Sequence, residues 1–417
     1  MKKISLLLIL FSFLKFHLGA QDTFILEGKV VDAKTNLPLE KVNIFNQTSV
    51  FGAYSELDGT FQIEIEDYPT VIIFSYIGYE NLLLTIEEEP TEPITIRLQR
   101  SIFGLPEIEV TDQPKIEKLT KKNYTVKDFI LDKNKILILT FPGTFSGNKL
   151  ILKDWDGTVL DKLKLEKEKV QTLHRSCLGN IHLVGKKYGF EIGLQDDKIL
   201  IISKYPARQF EKLIKPCVAA TDQLLYWQKY SMQDQFLTYT IISKKEKDII
   251  TKIKVVDGIN ISRSMDDFVL QDALPDVPQA SWIERQSWKQ LMYKPIFSPL
   301  KIYQNELCLF DHVNGYLEFF TFKGTSLRYL PITYHQNKKW EKQILFDKKY
   351  NKAYTVYDTK KGKSIYEINL KDGSVEPIVF FNATHIEKME VYDGHLFYLE
   401  SGVTNADRNR VLHRVKL

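Results

Sequence analysis

Cysteine is scarce, with three in 417 residues, Cys177, Cys217 and Cys308. So small and odd a number allows at most one bridge and excludes a disulfide framework, and the wide spacing lacks the short-range pairs of a zinc site. Each cysteine sits in an apolar or strand-like setting, so buried free thiols are expected. No Gly-x-Ser-x-Gly elbow, His-Glu-x-x-His, phosphate-cradling loop or Cys-x-x-Cys pair occurs anywhere, which removes the locally encoded hydrolase, metalloprotease and nucleotide chemistries. Past the N-terminus no apolar run approaches the roughly 18 to 20 residues that span a bilayer, so no transmembrane span is expected. A dominant charge is missing too. Without residues 1–20 the chain carries 54 Lys and Arg against 53 Asp and Glu, a poor balance for binding nucleic acid or another polyanion.

What is present begins with an address. Met1-Lys2-Lys3, the apolar stretch Ile4 to Leu14 and the small residues Gly19-Ala20 have the three regions of a secretory signal peptide. Lys15 and His17 break the run too early for an anchor helix. Residues 1–20 are therefore expected to be removed, leaving Gln21 first in an exported chain, periplasmic or associated with the outer membrane. The charge that remains is uneven. Residues 21–111 carry 5 basic and 16 acidic side chains and residues 112–417 carry 49 and 37, an acidic front and a basic back.

Between Thr23 and Thr111 apolar residues alternate in short runs, Phe24 to Val31, Val42 to Phe45, Thr60 to Ile65, Val71 to Tyr76, Leu82 to Ile86 and Ile94 to Leu98. Pro38-Leu39 and Asp58-Gly59 fall between runs, and Gly78 follows the densest one. Period-two runs separated by turn residues predict six or seven antiparallel strands in a small β-sandwich over residues 21–111.

The spaced residues Gly28, Val30, Asp32, Thr35, Pro38-Leu39, Val42 and Ile44, then Asp58-Gly59, Phe61 and Ile63, then Phe74, Tyr76, Gly78 and Tyr79, resemble the carboxypeptidase regulatory-like domain. That module stands at the front of many Bacteroidetes outer-membrane receptors and surface proteins. The family usually has a Thr-Asp pair ahead of the Asp-Gly turn, where this chain reads Tyr54-Ser55-Glu56-Leu57. The exit, Leu105 to Val110, is similar to the segment that leads towards the plug in the receptors. The resemblance implies a transthyretin-like sandwich that assists folding, docking or binding and is not itself a peptidase. It covers about a fifth of the chain, and the remaining length cannot supply a receptor's plug and barrel.

Alternation fails between Pro106 and Tyr124, where Asp112 to Lys118 and Thr120 to Asn123 are charged and polar, so residues 112–123 are read as a linker. Over residues 124–417 a strand–turn–strand unit recurs, best seen from Lys135 to Leu160, Glu306 to Leu327 and Lys352 to Val375. Asp156-Gly157, Asn314-Gly315, Asp372-Gly373 and Asp393-Gly394 mark tight hairpins. At a period of roughly 40 to 50 residues there is room for six units, which resembles a six-bladed β-propeller. Ala280 to Tyr293 breaks the rhythm and reads as an insertion between blades. The fold expected is all-β, a transthyretin-like β-sandwich followed by the propeller.

Candidate chemistry is thin. Asp154 and Asp156 offer two carboxylates in a turn, without the further oxygens of a calcium loop. Asp266-Asp267, with Asp272 and Asp276, form an acidic loop. His174-Arg175-Ser176-Cys177 places a base beside two nucleophiles, but neighbours on a strand point to opposite faces. Tyr226-Trp227, and Tyr76 with Tyr79, read as core or cross-strand aromatics before they read as sugar platforms. No catalytic, cofactor-binding or metal-ligating residue is assigned, and no cofactor is expected. The function expected is a non-enzymatic cell-envelope binding or docking protein whose partner is an envelope protein, a peptide or a glycan. The alternatives are a carbohydrate-binding component of a glycan uptake system and a calcium-dependent lactonase or esterase on the propeller. Neither the ligand nor the oligomeric state is legible in these residues.

Overall fold

The computed structural model describes residues 24–46, 52–65, 68–76, 78–80, 82–100, 114–120, 124–142, 148–165, 170–231, 236–257, 295–383, 385–402 and 410–417. The chain divides into two compact units, one comprising residues 1–76 and 82–99 and the other residues 77–81 and 100–417.

The first unit holds two small sheets. In one, Phe24–Asp32 lies between Thr60–Ile65 and Ile94–Leu98, and in the other Asn43–Asn46 lies between Gly52–Tyr54 and Thr70–Ser75, which pairs in turn with Leu82–Ile86. Thr60–Ile65 alternates strictly between exposed and buried, sending Phe61, Ile63 and Ile65 inward. Phe61 meets Phe74 of the other sheet edge-on at 5.4 Å, so the core lies between the sheets. Among the described residues seven strands are present, as expected. They are not all antiparallel, because Phe24–Asp32 runs parallel to Ile94–Leu98. Period-two alternation reports which face a residue occupies and is silent on the direction of its neighbour.

The turn motifs have physical causes. Asp32 accepts the amides of Lys34 at 2.9 Å and Thr35 at 2.8 Å, closing the turn before Pro38. Gly59 has φ +82°, and a Cβ there would stand 2.5 Å from the Val30 carbonyl, so only glycine fits.

The described residues of the second unit form six four-stranded antiparallel sheets, the blades of a propeller. Their first strands are Tyr124–Asp132, Val170–Arg175, Cys217–Ala220, Leu300–Tyr303, Trp340–Asp347 and Ile386–Tyr392. The long step from the third to the fourth contains the expected insertion at 280–293, which lies outside the described residues. The blades are buried on both faces. Leu137, Leu150 and Leu183 pack between blades 1 and 2; Tyr226, Tyr239 and Leu307 between 3 and 4; Phe310, Phe319 and Tyr357 between 4 and 5; Val356, Phe381 and Tyr398 between 5 and 6; and Phe129, Ile138 and Phe397 between 6 and 1. Such seams, each fully burying several large side chains at roughly 1.5 to 3 kcal/mol apiece, hold the ring together.

Two features depart from expectation. Within the expected linker, Glu117–Lys118 forms the fourth strand of blade 6, pairing with Arg410–Lys416. Glu117 accepts both Nε and Nη2 of Arg414 at 3.0 and 2.5 Å, the Leu412 amide donates to Thr120 Oγ1, and the buried Lys153 ammonium donates to the Leu119 carbonyl at 2.9 Å. A two-residue strand whose charges face a partner far away in sequence leaves no alternation to read. The second departure is a disulfide joining Cys177, in the first hairpin of blade 2, to Cys217, which opens blade 3. Two of the three thiols expected to be free are therefore bonded, and Cys308 alone is free and buried. An apolar setting cannot distinguish a buried thiol from half of a bridge whose partner is 40 residues away.

Candidate functional site

The first strands of the blades lie beside one another. Tyr124–Asp132 meets Val170–Arg175 and Ile386–Tyr392, which also meets Trp340–Asp347, and Cys217–Ala220 meets Leu300–Tyr303, so these strands surround the axis. The acids found there are already engaged. Buried Asp128 accepts the amides of Phe129 at 2.8 Å and Leu173 at 2.7 Å, the Thr172 hydroxyl, and the Lys388 ammonium at 2.8 Å. Lys388 also reaches Glu390 at 2.9 Å and the Phe129 carbonyl at 2.6 Å. Burial works against the ammonium, but Glu390 and Asp128 overcome it and hold Lys388 above the usual lysine range. This network clasps blades 1, 2 and 6. Among the described residues no group of three or more His, Cys, Asp and Glu side chains is placed to hold a metal ion.

The boundary of blades 2 and 3 is built differently. One face of blade 2 packs its leucines and isoleucines against blade 1, and strand pairing sets a polar row across the sheet, His174 opposite His182, His182 opposite Glu191, and Glu191 opposite Ser203. Tyr205 shares a 2.8 Å hydrogen bond with His182 Nδ1, and its ring lies over Gly189, where a Cβ would clash with the ring. Burial, then the Glu191 charge, raises the Tyr205 hydroxyl to about 12. Burial lowers His182, and burial followed by His182 lowers His174, so both imidazoles are held neutral at pH 7.

Blade 2 continues into blade 3 through Ala207–Gln209 and a single π-helical turn, Phe210–Ile214. Pro206 and Pro216 bracket this segment, and the bridge fixes its end at Cys217. Phe210 turns inward and meets His174 edge-on at 5.0 Å. Between the segment and blade 2 lies a cavity of about 440 Å³, within the range of small-molecule sites. Leu173, Val184 and Phe210 form apolar wall, and Gln171, Lys186, Arg208, Glu211 and Lys215 supply polar groups. Glu211 is paired with Lys215 at 2.8 Å. Lys186 and Arg208, both exposed at the rim, make no ion pair among the described residues. His174 lines the cavity, while its Nε2 is buried away from the cavity surface and has no hydrogen-bond partner among the described residues.

The residues singled out in the sequence fall as follows. Asp154 accepts the Thr158 amide at 2.8 Å in a hairpin turn with Gly157 at φ +86°. Asp266, Asp267, Asp272 and Asp276 lie outside the described residues. The His174 to Cys177 tetrad does not converge. Arg175 binds the carbonyls of Leu131 and Gly179 and the carboxylate of Asp132, and Cys177 is in the bridge. Tyr226 is buried and donates to the Phe322 carbonyl at 3.0 Å, while Trp227 is half-buried. Tyr79 is buried with Arg100 over its ring, and Tyr76 is half-buried. The reading of the sequence missed Lys186, Arg208, Glu211 and Lys215. Their one local signal is Ala207 to Ile214, a helix-like stretch between two prolines in a chain of strands.

Residues 26–110 match the CarboxypepD_reg-like domain, so the chain consists of that domain followed by a propeller. Among solved structures, the chain is similar to a candidate exported protein of Bacteroides fragilis at 10% identity, covering 73% of this chain and 95% of that one, with a TM-score of 0.38. It is also similar to the WD40 domain of coronin from Toxoplasma gondii at 8% identity, covering 73% and 86%, with a TM-score of 0.36. A third likeness is to the β-propeller domain of the Trilobed protease from Pyrococcus furiosus at 10% identity, covering 71% and 94%, with a TM-score of 0.33. No curated protein matches the chain.

Proposed function

We propose that this is an exported, non-enzymatic binding protein of the cell envelope, in which the CarboxypepD_reg-like domain docks and the propeller takes a ligand in the cavity at the boundary of blades 2 and 3. The observation that carries the reading is the division of labour among charged groups. On the axis Asp128 and Glu390 are held by Lys388, while the cavity rim carries Lys186 and Arg208 with no ion-pair partner among the described residues. A calcium-dependent hydrolase would need axial carboxylates free for the ion, and these two are engaged. Export is supported by the Met1 to Ala20 pattern and by the Cys177–Cys217 bridge, since such bonds form and persist in oxidising compartments.

The test is fractionation of cells making the whole chain, with N-terminal sequencing, and a calcium titration of the purified protein against a lactone and ester panel. Mature protein beginning at Gln21 in the envelope fraction and a flat titration are expected. Saturable turnover abolished by chelator would replace the binding reading with the enzyme, and Met1 retained in a cytosolic fraction would remove the address.

A further inference from the structure

We infer that the cavity between blade 2 and the Ala207 to Ile214 segment is a site for a small organic dianion, bound through Arg208 and Lys186 at the rim and by the apolar wall behind them. The inference rests on the binding reading above and names its ligand chemistry. Two independent observations point the same way.

The first is charge. Lys186, Arg208 and Lys215 face the cavity against Glu211 alone, and Glu211 is satisfied by Lys215, which leaves an excess of two positive charges, neither in an ion pair among the described residues. Cations gathered on a concave, partly apolar wall focus their field into it, and the planar fork of Arg208 suits a carboxylate or a phosphate.

The second is the wall itself, where Leu173, Val184 and Phe210 give the cavity an apolar side. The bridge at Cys217 ties down the segment that brings Phe210 against His174, so the site is formed before the ligand arrives. Phe210 and the neighbouring apolar wall call for a carbon body as well as charge. Dicarboxylates and phosphomonoesters share the required chemistry.

The experiment is calorimetric titration of the mature chain at low salt with phthalate and glucose 6-phosphate as organic dianions. Dimethyl phthalate, glucose and inorganic phosphate serve as controls. Saturable binding of at least one organic dianion is expected, with its neutral analogue silent and the affinity reduced about tenfold in Arg208→Ala and further in Lys186→Ala/Arg208→Ala. Arg208 and Lys186 are exposed, so their removal should leave the melting temperature unchanged. The stronger of the two dianions identifies the source of the charge. Equal binding of the neutral analogues, an unaffected Arg208→Ala variant, or inorganic phosphate binding as tightly as the organic dianions would overturn the assignment, as would a flat titration of both. A negative result here leaves the fractionation and turnover tests untouched, so failure of the ligand class and failure of the binding reading remain distinguishable.

Discussion

Replacing Cys177 and Cys217 together by alanine should lower the stability of the propeller by an amount set by the 40-residue loop that the bridge closes. The chain-entropy relation for a loop of that length gives about 4 kcal/mol. With an unfolding entropy of about 2.1 cal/mol/K per residue over roughly 300 residues, a loss of that size lowers the melting temperature by about 6 °C. Alanine is preferred to serine because Cys217 is buried, and a serine hydroxyl would add a cost of its own. The assay is differential scanning calorimetry of the whole chain, wild type against double variant, each with and without reductant. Thiol titration of the denatured, unreduced protein should count one thiol in the wild type, from Cys308, and one in the variant. Three thiols in freshly purified wild type, or a variant that melts within a degree of wild type, would refute the reasoning.

Gly59→Val should destabilise the front domain by roughly 1 to 3 kcal/mol, because its Cβ meets the Val30 carbonyl at positive φ, while Gly78→Val should cost less, having φ +86° but open space around it; separate melts of the domain check this, and a wild-type melt for Gly59→Val would contradict the turn. Asp128→Ala removes four acceptor contacts and leaves Lys388 with one carboxylate, an expected loss of about 3 kcal/mol read by urea unfolding. Burial lowers His174, His182, His312, His335 and His413, the last two to about 4. Their folded pKa values lie below the unfolded value near 6.5, so the stability from keeping them neutral is complete above about 6.5 and is lost as pH falls towards 4, by roughly 2 kcal/mol at pH 5 for each of His335 and His413. Asp311, raised to about 6 by burial, and Glu400, also raised by burial, oppose this as pH falls, but they are outnumbered by the five histidines, so the melting temperature should still fall between pH 7 and 5. A chain beginning at residue 124 should be less stable than one beginning at residue 112 by roughly 2 to 4 kcal/mol, because it lacks the Glu117–Arg414 and Thr120–Leu412 bonds; equal melts would show that the short strand contributes nothing.

The strands of both units were legible because each buries one or both faces, and burial writes itself into the order of residues. Thr60–Ile65 states its inward face residue by residue, and the Asp-Gly pairs announce their hairpins. What escaped were relations between distant segments. The parallel pairing of Phe24–Asp32 with Ile94–Leu98, the bridge from Cys177 to Cys217 and the strand at Glu117 each depend on a partner that no local window contains. The cavity escaped for the same reason. His174, Lys186 and Arg208 come from a strand, a turn and a connecting segment, and become neighbours only through strand register and the π-helical turn at Phe210.

The fourth strand of blade 6 carries a temporal consequence. Glu117 is synthesised among the first residues of the propeller, and Arg414, its partner, follows 297 residues later. Loop closure over that distance costs about 5 kcal/mol of chain entropy before any contact returns it. Five blades can form as local meanders while the polypeptide is still emerging, but the ring stays open at its first seam until Arg410–Lys416 arrives. A chain stopped short of residue 410 therefore presents a bare sheet edge and the unpaired ends of two blades, which mark it for proteases or aggregation. The last strand thus acts as an inspection step, separating chains that have closed from chains that have not.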